Sequence, residues 1–107
     1  MTDNNEVDVE IVQNPERTRF EALLEDGTVA GYLDYELKGT GLFNKVLAIP
    51  AVNVDPKFEG HGIAGRLASE SFSWARKLGA TVDPICPFIK AYIARNPVYQ
   101  DLLGPQS

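Results

Sequence analysis

Three glycines surround the only histidine of the sequence in the segment FEGHGIAG, residues 58–65, just before a helical pattern. Glycine at the first turn of a helix costs conformational entropy, so it marks a tight turn, a close backbone contact or a ligand. N–H groups at a helix start are unpaired, and the helix dipole adds partial positive charge there. With Gly60, Gly62 and Gly65 the backbone could approach a phosphate closely, so we predict an anion site that suits pyrophosphate.

Known phosphate motifs match this segment only in part. No Gly-Lys-Ser/Thr follows the glycines, which excludes a Walker P-loop. The spacing Gly-x-Gly-x-x-Gly also occurs in dinucleotide-binding folds, but there it follows the first strand, whereas here it follows the fourth predicted strand. The alternative is a helix start whose glycines serve only close packing.

Charge is distributed unevenly along the 107 residues, which carry a net charge of −5. Residues 1–56 hold four Lys or Arg against eleven Asp or Glu, whereas residues 57–77 hold four against two. An acidic chain argues against a general nucleic-acid-binding protein, which needs a basic face. The glycine segment lies in the one cationic stretch, where a small anion finds its most favourable potential. Lys57 and Arg66 are the predicted side-chain partners of a bound phosphate, and the alternative for both is ordinary surface charge.

The sequence contains one cysteine and one histidine, and these two residues bear on the cellular compartment and on metal binding. The single cysteine, Cys86, cannot form an internal disulfide, and a free thiol fits a reducing compartment. The N-terminus MTDNNEVDVE is acidic, unlike a signal peptide, and no apolar run reaches the roughly 20 residues of a membrane span. We therefore expect a cytoplasmic protein that does not associate with a membrane. His61 has no partner at ligand spacing, so no metal site is predicted.

The elements that position these residues follow from hydrophobic periodicity and turn residues. Alternating or mostly apolar stretches predict strands, and apolar residues three or four apart predict helices. The segment EDGT, residues 25–28, predicts a hairpin turn, and Gly39 and Gly41 mark a loop. The predicted strands cover residues 7–12, 17–24, 29–37, 45–54 and 80–86, and the predicted helices cover 61–78 and 88–95, with a helical turn at 98–103.

This order predicts one compact α+β (α/β) domain over residues 1–107: a four-stranded antiparallel meander, a long helix, a fifth strand and short C-terminal helices. A helix joins the fourth and fifth strands. If these two strands are neighbours in the sheet, they should run parallel to each other with a right-handed crossover. Pro50 and Pro84 lie within these two strands and cannot donate to a ladder, so a bulge or interrupted pairing is expected. The strands should diverge, leaving backbone groups that a ligand could satisfy.

The segment VDPKFEGHGIAGRL between the meander and the long helix resembles the acyl-CoA signature of the GNAT superfamily of N-acetyltransferases, Gln/Arg-x-x-Gly-x-Gly/Ala. Gly62 and Ala64 stand at the two small positions, and Glu59 stands where the signature has Gln or Arg. The segments RFEALLEDGTVAGYLDYEL and ICPFIKAYIARNPVYQDLL are similar to a branch of very small, single-domain members with a Cys-Pro-Phe motif. The resemblance covers nearly the whole chain.

This resemblance implies that acetyl-CoA binds between the fourth and fifth strands and that its acetyl group passes to an amine. The donor is thus a small molecule, and the amine acceptor is not specified by the sequence. A carboxylate at Glu59 is expected to weaken the grip on CoA unless it points away. The cofactor-binding residues implied are Glu59, Gly60, His61, Gly62, Ile63, Ala64, Gly65 and Arg66.

Two residues are catalytic candidates, Cys86 and Asn53. The branch commonly reads His-Thr-Glu-Val at the end of the fourth strand, with the Glu as a base, but this chain reads Ala-Val-Asn-Val, and Asn53 can only orient a water or an amine. Cys86 precedes Pro87 at a predicted helix start that favours a thiolate, so it could accept the acetyl group as a thioester. The alternative for Cys86 is a small buried apolar residue.

Tyr92 and Tyr99 are further candidates, as proton donors to the departing thiolate, with packing as the alternative. Because Asn53 and Glu59 depart from the family pattern, a second hypothesis is a non-catalytic acyl-CoA-binding or sensor module. A third is a small interaction domain without a cofactor, in which the glycines serve only packing.

Overall fold

The structure is a computed structural model, and it describes residues 8–39 and 45–104. Five strands form one sheet in the order β1-β2-β3-β4-β5. The first four run antiparallel to their neighbours and β5 runs parallel to β4, which confirms the predicted meander and the parallel fifth strand. The elements are β1 (Glu10–Asn14), β2 (Arg19–Leu23), β3 (Val29–Lys38), β4 (Val46–Val54), a 3-10 helix (Pro56–Phe58), α1 (Ile63–Leu78), β5 (Thr81–Asp83), α2 (Pro87–Arg95) and a second 3-10 helix (Pro97–Leu103).

The strand ends differ from the predictions by one to three residues where turns intervene. The N–H of Thr18 donates to the Pro15 carbonyl, so the turn after Pro15 takes two residues that were predicted to begin β2. The hairpin between β2 and β3 is confirmed, with Gly27 at φ 88° in the left-handed region and the Thr28 N–H bonded to the Asp26 carboxylate at 2.9 Å. Val7 and Gly41 lie outside the described residues.

One face of the sheet and one face of α1 form the core. Phe20, Leu33 and Phe72 are almost fully buried, as the alternation of the strands and the spacing of the helix require. Trp74 is half-buried on α1 and packs on the rings of Phe20 and Tyr35, with centroids 5.9 and 5.1 Å away.

β4 contains the predicted irregularity at its proline. Asp34 pairs with Ala51 but Glu36 pairs with Ala48, so β4 holds one extra residue in the stretch that includes Pro50. This is a β-bulge, which kinks the strand. Residues beyond the bulge therefore face the opposite side of the sheet from the one that simple alternation would give.

The parallel ladder between β4 and β5 is short. It covers residues 46–48 and 81–83, and its last bond runs from the Cys86 N–H to the Ile49 carbonyl at 2.9 Å. β5 is thus shorter than the predicted range 80–86, because Pro84 has no N–H and β4 kinks at Pro50. The predicted divergence is confirmed, and we call the point where Cys86 meets Ile49 the fork.

The helices begin and end close to the predicted residues. α1 starts at Ile63 rather than His61 because Gly62 adopts a left-handed conformation, φ 76°, at its N-cap. It ends at Gly79, φ 69°, as predicted. Arg76 ties the last 3-10 helix to α1 by donating to the Asp101 carboxylate and to the Val98 carbonyl. Within the described ranges, none of the helices is both long enough and apolar enough to cross a bilayer.

Candidate functional site

A cavity of about 480 Å³ opens between the end of β4, the loop before α1 and the side of α2. Its location is the space left when β5 departs from β4 at the fork. Its lining residues come from three parts of the chain: Val52 and Val54 of β4; Phe58, Glu59, Gly60, Gly62, Ile63, Ala64 and Gly65 of the loop and the first turn of α1; and Phe88, Tyr92 and Arg95 of α2.

The first turn of α1 offers unpaired donors to this cavity. No side chain caps the helix, and the first main-chain bond of α1 belongs to Arg66, whose N–H donates to the Gly62 carbonyl at 3.1 Å. The N–H groups of Ile63, Ala64 and Gly65 have no hydrogen-bond partner among the described residues. A Cβ built on Gly60 or Gly62 would meet nothing within 4 Å, so open space adjoins this backbone. The turn is an uncapped cradle with the positive end of the helix dipole behind it.

β4 also presents unpaired backbone groups at the cavity. The N–H of Asp55 donates to the Ala30 carbonyl of β3 at 2.8 Å. Hydrogen-bonded and non-hydrogen-bonded pairs alternate along an antiparallel ladder, so Val52 and Val54 direct their N–H and C=O groups away from β3. β5 has already left β4 at that level. The cavity therefore has a row of main-chain donors and acceptors along one wall.

The opposite wall is aromatic. Phe88 and Tyr92 of α2 stack with centroids 5.7 Å apart, and Tyr92 stacks in turn on Tyr99 at 6.0 Å. A Cβ on Gly65 would lie 3.3 Å from Tyr92 Cε1 and 3.5 Å from its hydroxyl oxygen, so only glycine there leaves Tyr92 undisturbed. Partial burial, and to a smaller extent Tyr99, raises the pKa of Tyr92 above its usual value of 10.0. Its phenol stays protonated at neutral pH.

Two charged side chains line the cavity, Glu59 and Arg95. Both are exposed, and neither forms an ion pair with a described residue. They are carried by different elements, the loop before α1 and the last residue of α2.

The structure brings together six of the eight residues predicted to bind the cofactor in the lining of one cavity, and the other two, His61 and Arg66, are not among its lining residues. His61 is half-buried in the loop between two lining glycines. Arg66 lines a separate groove between β1 and α1, beside Ser69 and Glu70. Its predicted phosphate contact stays a prediction. The six residues that share the cavity are Glu59, Gly60, Gly62, Ile63, Ala64 and Gly65.

Cys86 lies at the fork, as the N-cap residue of α2, and is not among the cavity-lining residues. Its exposed fraction is 7%, and it belongs to the hydrophobic core cluster. The side chain makes no capping hydrogen bond. Its predicted acyl-accepting role therefore stays a prediction.

Asn53 lies on the sheet face opposite the core. Its neighbour across the ladder is Tyr32, and both line a groove of about 600 Å³ with Asp55 and Glu21. Arg19 crosses the same surface, 3.9 Å above the ring of Tyr32 and ion-paired with Asp34. Cavity and groove share Val54, so they adjoin at the end of β4.

Prediction from the sequence missed part of the lining of the cavity. Tyr92 was weighed as a proton donor, but Phe88 and Arg95 were not singled out. Phe88, Tyr92 and Arg95 are spaced i, i+4 and i+7, which places them on one face of a helix. That spacing was visible in the sequence, although the identity of the surface they face was not.

Comparison with known proteins identifies one family and several solved structures of similar fold. A family model described as GCN5-related N-acetyl-transferase matches residues 19–102. No curated protein matches the sequence. A Pyrococcus furiosus protein described as an acetyl transferase is 25% identical over 73% of this chain and 56% of its own, with a TM-score of 0.52.

Two further solved structures share the fold at lower identity. An aminoglycoside acetyltransferase, meta-AAC0020, from an uncultured soil metagenomic sample, in complex with sisomicin, is 17% identical over 83% of this chain and 60% of its own, with a TM-score of 0.55. A Trypanosoma brucei acetyltransferase is 21% identical over 87% and 66%, with a TM-score of 0.51. The chain thus spans between about half and two thirds of the length of these proteins.

Proposed function

Since this chain belongs to the GCN5-related N-acetyltransferase family, we propose that it transfers an acetyl group from acetyl-CoA to an amine and that the cavity beside α1 is its donor site. The observation that carries the proposal is the uncapped start of α1 opening onto the gap between β4 and β5. Unpaired amides and an open strand edge are the groups that an anionic, amide-containing donor would satisfy.

The lining residues fit acetyl-CoA in chemistry as well as position. The N–H groups of Ile63, Ala64 and Gly65 would hold the pyrophosphate, and the main chain of Val52 and Val54 would pair with the amides of the pantetheine arm. The side chains of these two valines and the ring of Phe88 give the thioester end an apolar surface.

Bound acetyl-CoA would supply an acetyl group activated as a thioester. Tyr92 is the proton donor that we assign to the departing thiolate, because its raised pKa keeps the phenol protonated and the residue lines the cavity. Phe88 shields the thioester from water by stacking on Tyr92. The amine would enter from the groove of Asn53, where Asn53 orients it and Asp55 and Glu21 are the carboxylates that could take its proton.

A covalent route through Cys86 is the alternative mechanism for the same reaction. It is favoured by the position of Cys86 at the fork, where the two strands separate. It is disfavoured by burial of the thiol outside the cavity lining. In this route the thiol sulfur would take the acetyl group, CoA would leave as its thiol, and the amine would then release Cys86.

Acyl-CoA binding without turnover is the second candidate function. Asn53 stands on the acceptor side of the sheet and cannot abstract a proton, which favours this candidate. Binding to acetyl-CoA is common to both candidates, so they differ only in the release of CoA when an amine is added.

Calorimetry with acetyl-CoA, followed by measurement of CoA released over a panel of amines, tests the proposal. We expect binding and amine-dependent release. Tyr92→Phe should lower kcat on the order of 10²-fold while leaving the Kd for acetyl-CoA unchanged. Tyr99→Phe is the matched control, since Tyr99 is not among the cavity-lining residues and, within the described part of the chain, its hydroxyl hydrogen-bonds only to that of Ser69, at 3.4 Å.

The outcomes separate the candidates. Absence of acetyl-CoA binding would overturn the proposed function altogether, and binding without release over the panel would establish the non-catalytic candidate. Intact mass after incubation with acetyl-CoA alone tests the covalent route. An unmodified protein together with full turnover in Cys86→Ala would exclude that route.

A further inference from the structure

α2 contributes a cation, Arg95, to the cavity that the glycine loop also lines, and nothing in the acyl-CoA signature accounts for it. We propose that Arg95 binds the phosphate end of acyl-CoA across the cavity and supplies the positive charge that Glu59 removes from the loop. The inference rests on the proposed function and adds to it the side chain that recognises the phosphates of the ligand.

The charge on the loop side of the cavity is unfavourable to phosphates. The signature has Gln or Arg at the position of Glu59, and here a carboxylate lines the cavity beside Gly60. A carboxylate near a phosphate is repelled, and the repulsion is weakly screened at contact distance. An anionic ligand on these amides therefore needs a compensating cation nearby.

The other cations near the loop are placed elsewhere. Arg66 lines the groove between β1 and α1, next to Glu70, and Lys57 is not among the cavity-lining residues. Arg76 is occupied by Asp101 and by the Val98 carbonyl. Among the described residues that line the cavity, Arg95 is the only cation, and its guanidinium makes no hydrogen bond or ion pair there.

The order of side chains along α2 matches the order of groups in the ligand. Phe88 lies in the first turn of α2, next to the fork, and Arg95 lies at the far end with Glu59 and Gly60 as fellow lining residues. At 1.5 Å per residue the two are about 10 Å apart along the helix axis. An apolar ring, a phenol and a guanidinium thus follow one another along α2, leading away from the fork, and all three residues line the cavity. A guanidinium is suited to phosphate because it donates two parallel hydrogen bonds.

Arg95→Gln is the test variant, and Lys90→Gln is its matched control. Lys90 is an exposed cation on the same helix that does not line the cavity, so both changes remove one positive charge from α2. CoA and pantetheine, which lacks the phosphates, are titrated into each protein by calorimetry. We expect Arg95→Gln to weaken CoA binding about tenfold or more, to leave pantetheine binding unchanged, and to reduce the salt dependence of CoA binding.

Glu59→Gln should change the affinity for CoA in the opposite direction. A gain in affinity cannot come from partial unfolding, so this variant controls for an effect on folding. Removing the carboxylate should tighten CoA binding a few-fold and leave pantetheine binding unchanged. CoA binding that is equally strong in wild type and Arg95→Gln would overturn the inference while leaving the proposed function intact. Equal weakening of both ligands, or weakening by Lys90→Gln as well, would also overturn it. Failure of the wild-type protein to bind CoA would instead remove the proposed function and the inference together.

Discussion

Gly62 and Gly79 stand at the two ends of α1 and form a natural matched pair. Both are left-handed, with φ 76° and 69°, and a Cβ on either would meet nothing within 4 Å. Only Gly62 lines the cavity. Gly62→Ala and Gly79→Ala therefore impose the same backbone strain, and only the first adds a methyl group beside the uncapped amides.

The expected magnitudes follow from this geometry. An L-residue in the left-handed region costs about 1–2 kcal/mol, so each variant should lower the free energy of unfolding by that amount. Loss of one charge-assisted hydrogen bond to a phosphate costs about 1.5–3 kcal/mol, so the Kd of Gly62→Ala for acetyl-CoA should rise about 10-fold to 100-fold. Gly79 is about 26 Å away along the helix, at the opposite end, so Gly79→Ala should bind as the wild type does.

Urea unfolding and calorimetry with acetyl-CoA measure the two effects separately. Equal loss of affinity in both variants would show that backbone strain, rather than the cradle, controls binding. Unchanged affinity in Gly62→Ala would refute the assignment of the α1 amides to the pyrophosphate. Unequal loss of stability would mean that the two glycines are not conformationally equivalent.

Three further predictions follow from contacts in the structure. Gly65→Ala places a methyl 3.3 Å from Tyr92, so kcat should fall a few-fold. The higher helix propensity of alanine adds up to about 1 kcal/mol to the free energy of unfolding, so the thermal midpoint should stay the same or rise. Kinetics and thermal unfolding check this. Phe72→Ala empties a fully buried site and should cost about 3–5 kcal/mol in urea unfolding. The Arg76 guanidinium holds the pKa of Asp101 below its usual 3.8, so this carboxylate stabilises the fold above pH 3.8 and loses that effect as the pH falls through its lower folded value. The stability difference between wild type and Asp101→Asn should therefore shrink in acid, as followed by urea unfolding from neutral pH downward.

Local signals in the sequence predicted most of the fold. Alternation predicted the meander, the spacing of apolar residues predicted α1, and Gly79 predicted its end. Pro50 and Pro84 predicted the bulge and the short ladder, because a missing N–H acts wherever the residue is placed. These features depend on backbone geometry over a few residues, so no knowledge of distant contacts was needed.

The faces of β4 could not be read from the sequence in the same way. Counting alternate residues from Ile49 would place Asn53 on the core side, but the bulge at Pro50 inverts the alternation. Val52 and Val54 thus reach the cavity, and Asn53 reaches the opposite groove.

The glycine cradle followed from the sequence because its amides and its dipole belong to one short segment. The partners of that cradle did not. Arg66 is nearest in sequence but turns to β1, while Arg95 is some thirty residues further along the chain and lines the cavity because α2 packs on α1 through Gly65 and Tyr92. Backbone donors are fixed by local conformation, whereas the side chains opposite them are set by how distant helices pack, and only the tertiary structure decides that.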